Sequence, residues 1–143
     1  MRKNYAIKYI TIIMIISAMV RLIFGFMMIN FFSTSITYEV VTPEILRIAI
    51  CAIVFVMLNM ITMLIAGFVG AANWEEPENA VHIFVWGVVS LAFGIAANVL
   101  QIRCDYPTSI YTWITGVGVP ALYTLAALVY LIFRPKRKKK AQN

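Results

Sequence analysis

The chain has 143 residues, of which 62% are hydrophobic and only 13% charged, with a formal net charge of +6. A soluble domain is roughly 45–50% apolar and about 25% charged, so an ordinary water-exposed globule is excluded. So is a disordered chain, which needs low hydrophobicity, and with two cysteines so is a disulfide-built secreted domain.

A bilayer span needs about 20 apolar residues in succession. Four stretches meet that length: residues 9–32, 44–71, 80–102 and 108–133. Each covers about 30 Å of hydrocarbon at a rise of about 1.5 Å per residue. Short polar links join them, so the chain is expected to be all-α. The expected architecture is an integral membrane four-helix bundle in antiparallel up-down topology, one domain over residues 1–143. A membrane barrel would show alternating segments of about 10 residues, and none appear. The start of the first stretch has the charge pattern of a signal peptide. Its apolar run continues past Arg21 to Phe32, too far for a signal core, so it is expected to remain as a span.

The links carry helix-start chemistry. Thr42-Pro43-Glu44 supplies a capping hydroxyl, a proline at the first helical position and an acid near the positive helix end. Asn73-Trp74-Glu75-Glu76-Pro77 reads as a capping box before the third helix, and Asp105-Tyr106-Pro107-Thr108 as a start signal for the fourth.

Basic residues gather at the two termini: Arg2, Lys3 and Lys8, then Arg134, Lys136, Arg137, Lys138, Lys139 and Lys140. The positive-inside rule therefore places both termini in the cytoplasm, and an even number of spans requires the same. A multi-pass membrane protein is expected. The basic tail at 134–143 is expected to fix topology and to attract the anionic inner leaflet, by about 1 kcal/mol per residue. With no folded basic surface, nucleic acid is not an expected partner.

Arg21 is the main candidate for chemistry. It falls near the middle of its span, which implies the bilayer midplane and an insertion cost of at least ~2.5–3.5 kcal/mol. No Asp or Glu lies inside any span. Gly116-Val117-Gly118-Val119-Pro120 interrupts the fourth helix, and Pro120 frees the carbonyl four residues back, so Gly116 and Pro120 mark an acceptor for the guanidinium. Asn59 is a second candidate partner, expected to sit deeper. Three readings of Arg21 stay open: a ligand site, a structural tie, and a contact with another subunit.

Arg47, Asn98 and Gln101 are expected near the outer ends of their helices, either lining a small outward polar vestibule or making ordinary interhelical hydrogen bonds. Gly67, Gly70, Ser90 and Gly94 form small-residue faces that let helices approach closely. His82 has no companions at metal-ligand spacing, so neither metal nor cofactor is expected. Cys51 and Cys104 form no Cys-x-x-Cys pair, and whether they bridge stays open.

The run from Ala66 to Ala80, with Trp86-Gly87 and Val119-Pro120-Ala121-Leu122-Tyr123, resembles small four-span membrane proteins of Clostridia-like Firmicutes. That resemblance implies the topology and a bacterial plasma membrane; it implies no activity and no site residue. Without paired carboxylates, a nucleophile with its base, or a metal set, no enzyme is expected. The leading expectation is action by helix-mediated association, with a second copy or a membrane partner. The alternative is a small transporter or channel subunit with a midplane polar site around Arg21 and the kinked fourth helix.

Overall fold

The computed structural model describes residues 5–38 and 41–133; the basic tail at 134–143 lies outside the described residues. It is all-α. Helix α1 is Tyr5–Thr37, α2 is Pro43–Asn73, α3 is Ala80–Arg103 and α4 is Ile110–Ile132. All four are long and apolar enough to cross a membrane. A short 3-10 turn, Pro77–Asn79, leads into α3. Each helix packs on its neighbours in chain order, and α4 closes the ring against α1.

The caps explain the helix ends, and two of them differ from expectation. Before α2 the expected signal is in place: the Thr42 hydroxyl accepts from the Ile45 amide at 3.4 Å, with Pro43 behind it. Asn73 does not cap α3. It completes α2, donating to the Val69 carbonyl at 2.8 Å, and its Oδ1 accepts from Asn79 at 2.6 Å. The 3-10 turn displaces the helix start to Asn79, so the capping-box spacing is lost.

Asp105 likewise serves the helix before it. The Tyr106 amide donates to the Gln101 carbonyl at 3.1 Å and the Asp105 amide to the Ile102 carbonyl at 3.2 Å. That crossed pair is a Schellman motif, with Asp105 in the left-handed region at φ 56°. The start of α4 falls to Ser109 instead, whose amide donates to the Thr112 hydroxyl at 3.4 Å. Glycine bears no steric cost at φ 56°. Asp105→Gly is therefore expected to stabilise the fold by ~0.5–1 kcal/mol in an SDS unfolding titration; a loss would show that the Asp105 side chain contributes more than its strain costs.

Two apolar clusters fill the bundle. One holds Ile7, Met14, Ala18, Met63, Ala66, Ile83, Val119, Tyr123 and Ala127, toward the chain termini. The other holds Met28, Phe32, Ala49, Ala52, Val56, Ala97 and Cys104, toward the far end where the α1–α2 and α3–α4 links lie. The large hydrophobic side chains left exposed, such as Ile16, Ile23, Phe26, Val54, Phe68 and Leu125, form the outer surface. In a membrane that surface faces lipid.

The helices are staggered at the far end. Tyr106 in the α3–α4 link packs its ring on Phe31 at 5.3 Å and on Phe32 at 6.1 Å. Helix α1 nevertheless continues to Thr37, five residues beyond the expected limit at Phe32. In its polar last turns Thr34, Ser35 and Thr37 satisfy their hydroxyls within the helix, donating to the carbonyls of Asn30, Phe31 and Ser33. The α1–α2 hairpin thus stands above the α3–α4 link.

Candidate functional site

Between the two apolar clusters lies a polar layer centred on Arg21, which is 0% exposed. Its Nε donates to Asn59 Oδ1 at 2.9 Å, one terminal nitrogen to Asn98 Oδ1 at 3.1 Å, and the other to the Thr112 carbonyl at 3.3 Å. All four helices therefore meet on one guanidinium. Each amide has its amino group on a backbone carbonyl. Asn59 Nδ2 donates to the Ser90 carbonyl at 2.8 Å, and Asn98 Nδ2 to the Thr112 carbonyl at 3.4 Å. Both amides thus present oxygen to the cation because backbone carbonyls hold their nitrogens.

Every acceptor on Arg21 is neutral, and no carboxylate among the described residues bonds to it. A guanidinium has five N–H donors. Three are engaged, which leaves two N–H groups and a whole positive charge without a counterpart among the described residues.

The interruption of α4 makes room for this group. Residues Ile114–Gly118 form a π turn, and the Val119 amide donates to the Ile114 carbonyl five residues back. Pro120, which follows, has no amide to give. Gly116 sits under the guanidinium: a Cβ there would lie 2.6 Å from Arg21 Cζ. The expected acceptor is corrected by this packing. Arg21 bonds the Thr112 carbonyl, whereas the Gly116 carbonyl is turned onto Gly94 of α3, where an added Cβ would overlap its oxygen. Asn59 is the partner expected of it, bonding Arg21 directly at the same level rather than deeper.

The layer falls at different points along the four helices. Arg21 is sixteen residues from either end of α1. In α3, however, Asn98 is eighteen residues from Ala80 and only five from Arg103. In α4, Thr112 is two residues from Ile110 and twenty from Ile132. Measured on α3 the layer lies about 8 Å below the far link, at about 1.5 Å per residue. It is central only for the long hairpin.

The expected outer vestibule does not assemble. Arg47 is exposed, with no hydrogen bond to Asn98 or Gln101, while both of those are buried in the core. Gln101 stands one turn beyond Asn98 toward the far end. Its Nε2 faces the Met28 sulfur at 3.7 Å, and its Oε1 is buried with no partner. Thr11 Oγ1 is the other orphan, beside Gly70 and the Tyr123 hydroxyl, which itself donates to the Ala66 carbonyl.

The small residues are used within the chain. A Cβ on Gly67 would lie 2.5 Å from Ile15, and one on Gly70 would lie 2.7 Å from the Tyr123 hydroxyl. Ser90 donates to the Gly87 carbonyl at 3.0 Å beneath Asn59. Cys51 is exposed and Cys104 buried, and both are free thiols. Burial pushes the Cys104 thiol above its ordinary value, so it resists ionisation. His82 is exposed, and no three metal-ligating side chains gather among the described residues.

Two partners of Arg21 escaped sequence reasoning. The Thr112 carbonyl is backbone, and a backbone acceptor has no signature in residue identity. Asn98 was visible as a buried polar residue, but nothing in its own helix announced that α1 overshoots α3 and so brings Arg21 level with it.

Fold and site together define a four-helix, all-α bundle of membrane-spanning length with a buried, acid-free arginine layer. No family model matches the chain, nor does any curated protein or any solved structure.

Proposed function

We propose that this is a multi-pass membrane protein whose polar layer is a site for a small anion, as a transporter or channel subunit would use. The observation that carries this reading is the Arg21 charge, buried among neutral acceptors with two N–H groups to spare. A buried cation is costly unless it is paired. An anion completes the pairing, whereas a cation or proton pathway asks for a carboxylate in that position. The structural tie is met as well, since three hydrogen bonds join Arg21 to the other helices, but it leaves the charge unpaired. Arg21 as a contact with another subunit finds less support. Its side chain is fully enclosed by its own chain, so it offers nothing to a neighbouring subunit. The glycines and Ser90 that suggested helix association are spent on internal contacts.

With the termini in the cytoplasm, as the charge bias favours, the layer lies nearer the outer face. About 8 Å along α3 then separates it from the external link. Four spans enclose little volume, so a pathway through one copy is narrow and suits a small ion.

The test is thermal unfolding of detergent-purified protein in chloride, nitrate and gluconate salts at matched ionic strength. Small anions are expected to raise the melting temperature and the bulky gluconate to leave it unchanged. Binding at 100 times the Kd would add ~2.7 kcal/mol. Arg21→Gln is expected to remove the response. An anion response that survives in Arg21→Gln, or no response in the wild type, would overturn the reading.

A further inference from the structure

Gln101 supplies an observation that the anion reading leaves unused. Its side chain is 1% exposed, and its Oε1 has no partner. The orientation of this amide has a chemical reason. The neighbour is the Met28 sulfur at 3.7 Å, and a thioether can only accept. The amino group therefore faces sulfur, and the carbonyl oxygen is left over. A buried amide oxygen with no donor costs about 1–3 kcal/mol, so it calls for an occupant with a hydrogen to give.

Its place in the fold ties it to Arg21. Asn98 bonds the guanidinium, and Gln101 follows three residues later on the same buried face of α3. That offset puts it one turn, about 5 Å, toward the far end. The bundle thus holds surplus donors on the cation and, one turn outward, a surplus acceptor. Chloride or nitrate can use the donors and has nothing for the acceptor.

Resting on the anion reading above, we propose that the preferred ligand is a small oxyanion that carries its own hydroxyl, of the bicarbonate class. Its charged oxygens take the two free N–H groups of Arg21, and its O–H donates to Gln101 Oε1. Sites that hydrogen-bond a ligand hydroxyl discriminate strongly against analogues lacking it, because the polar group is otherwise stranded.

Nitrate and bicarbonate make the decisive comparison. Both are planar, singly charged and close in size, and only bicarbonate bears an O–H. Titration of each into purified wild-type protein, at mildly alkaline pH and constant ionic strength, is followed by thermal shift and calorimetry. Bicarbonate is expected to bind about tenfold tighter than nitrate, the value of one added hydrogen bond. Gln101→Met, close in shape and without the amide, is expected to lose that tenfold preference while nitrate binding is unchanged. Arg21→Gln is expected to lose both ligands. Equal binding of the two anions by the wild type would overturn the hydroxyl preference and leave the anion site standing. Failure of both to bind would remove the anion site itself. If Gln101→Met does not fold, the wild-type comparison alone still decides between these results.

Discussion

Gly94→Ala is expected to be the most damaging small substitution in this protein. The added methyl would overlap the Gly116 carbonyl oxygen and lie 2.8 Å from its carbon. These are backbone atoms of the π turn, so no side chain can swing away. Helix α3 and α4 would have to separate, and the separation would open the layer in which Asn98 and Thr112 both hold Arg21. Overpacking a core commonly costs about 1–3 kcal/mol, and a backbone clash lies at or above the top of that range. The expected result is a loss of at least ~3 kcal/mol in an SDS unfolding titration, or failure to accumulate in membranes. Gly118→Ala is the control. Its nearest neighbour would be the Trp113 carbonyl oxygen at 3.8 Å, an ordinary contact. Alanine in a helix is favoured over glycine by up to ~1 kcal/mol, so Gly118→Ala should be neutral or stabilising. Equal effects of the two would mean that α3 and α4 do not meet at Gly94 and Gly116.

The second large effect concerns the order in which the polar layer is dismantled. Asn59→Leu removes the acceptor of Arg21 Nε at 2.9 Å and leaves the cation in place. Leaving a buried donor without its acceptor costs about 1–3 kcal/mol, and more when the donor is charged. Adding Arg21→Leu to that variant removes the stranded charge. The double variant is therefore expected to be more stable than Asn59→Leu alone, although it carries one more substitution. A triple variant with Asn98→Leu, wholly apolar at this level, should recover most of the remaining loss. A well-packed apolar replacement of a buried ionic group is often neutral or stabilising. Simple additivity of the three substitutions would contradict the direct bonds that Asn59 and Asn98 make to the guanidinium. Anion binding should vanish from the double and the triple variant alike, whatever their stability.

Much of the fold was legible in the residues. Apolar runs of the right length identify the four helices, because a span must be both long and continuous. Pro43 with Thr42 marks a start that the structure keeps. Misreadings cluster where a polar residue can serve either of two neighbours. Asn73 and Asp105 have the chemistry of helix starts, yet each finishes the preceding helix, since the backbone turns within one or two residues of it. Ser33 to Thr37 read as a link by polarity, but their hydroxyls bond back to their own helix. Arg21 announced itself through its charge. Its depth did not, because depth was counted along α1 alone, and the stagger between hairpins belongs to no one helix. The role of Gly116 was legible as a break in α4. What the break accommodates, a guanidinium against bare backbone, depends on a contact between residues 95 positions apart.

The layer also sets the order of events while the chain is being made. Arg21 is synthesised in the first helix, but its acceptors follow 38, 77 and 91 residues later. At translation rates of about 5–20 residues per second, the last acceptor trails the arginine by about 5–18 s. During that interval the guanidinium lacks the acceptors that the finished bundle supplies. The fourth helix then acts as a latch, closing the circuit of hydrogen bonds that begins in the first. A chain that stops before Thr112 lacks the last of the three acceptors, and with it the tie from the first helix to the fourth.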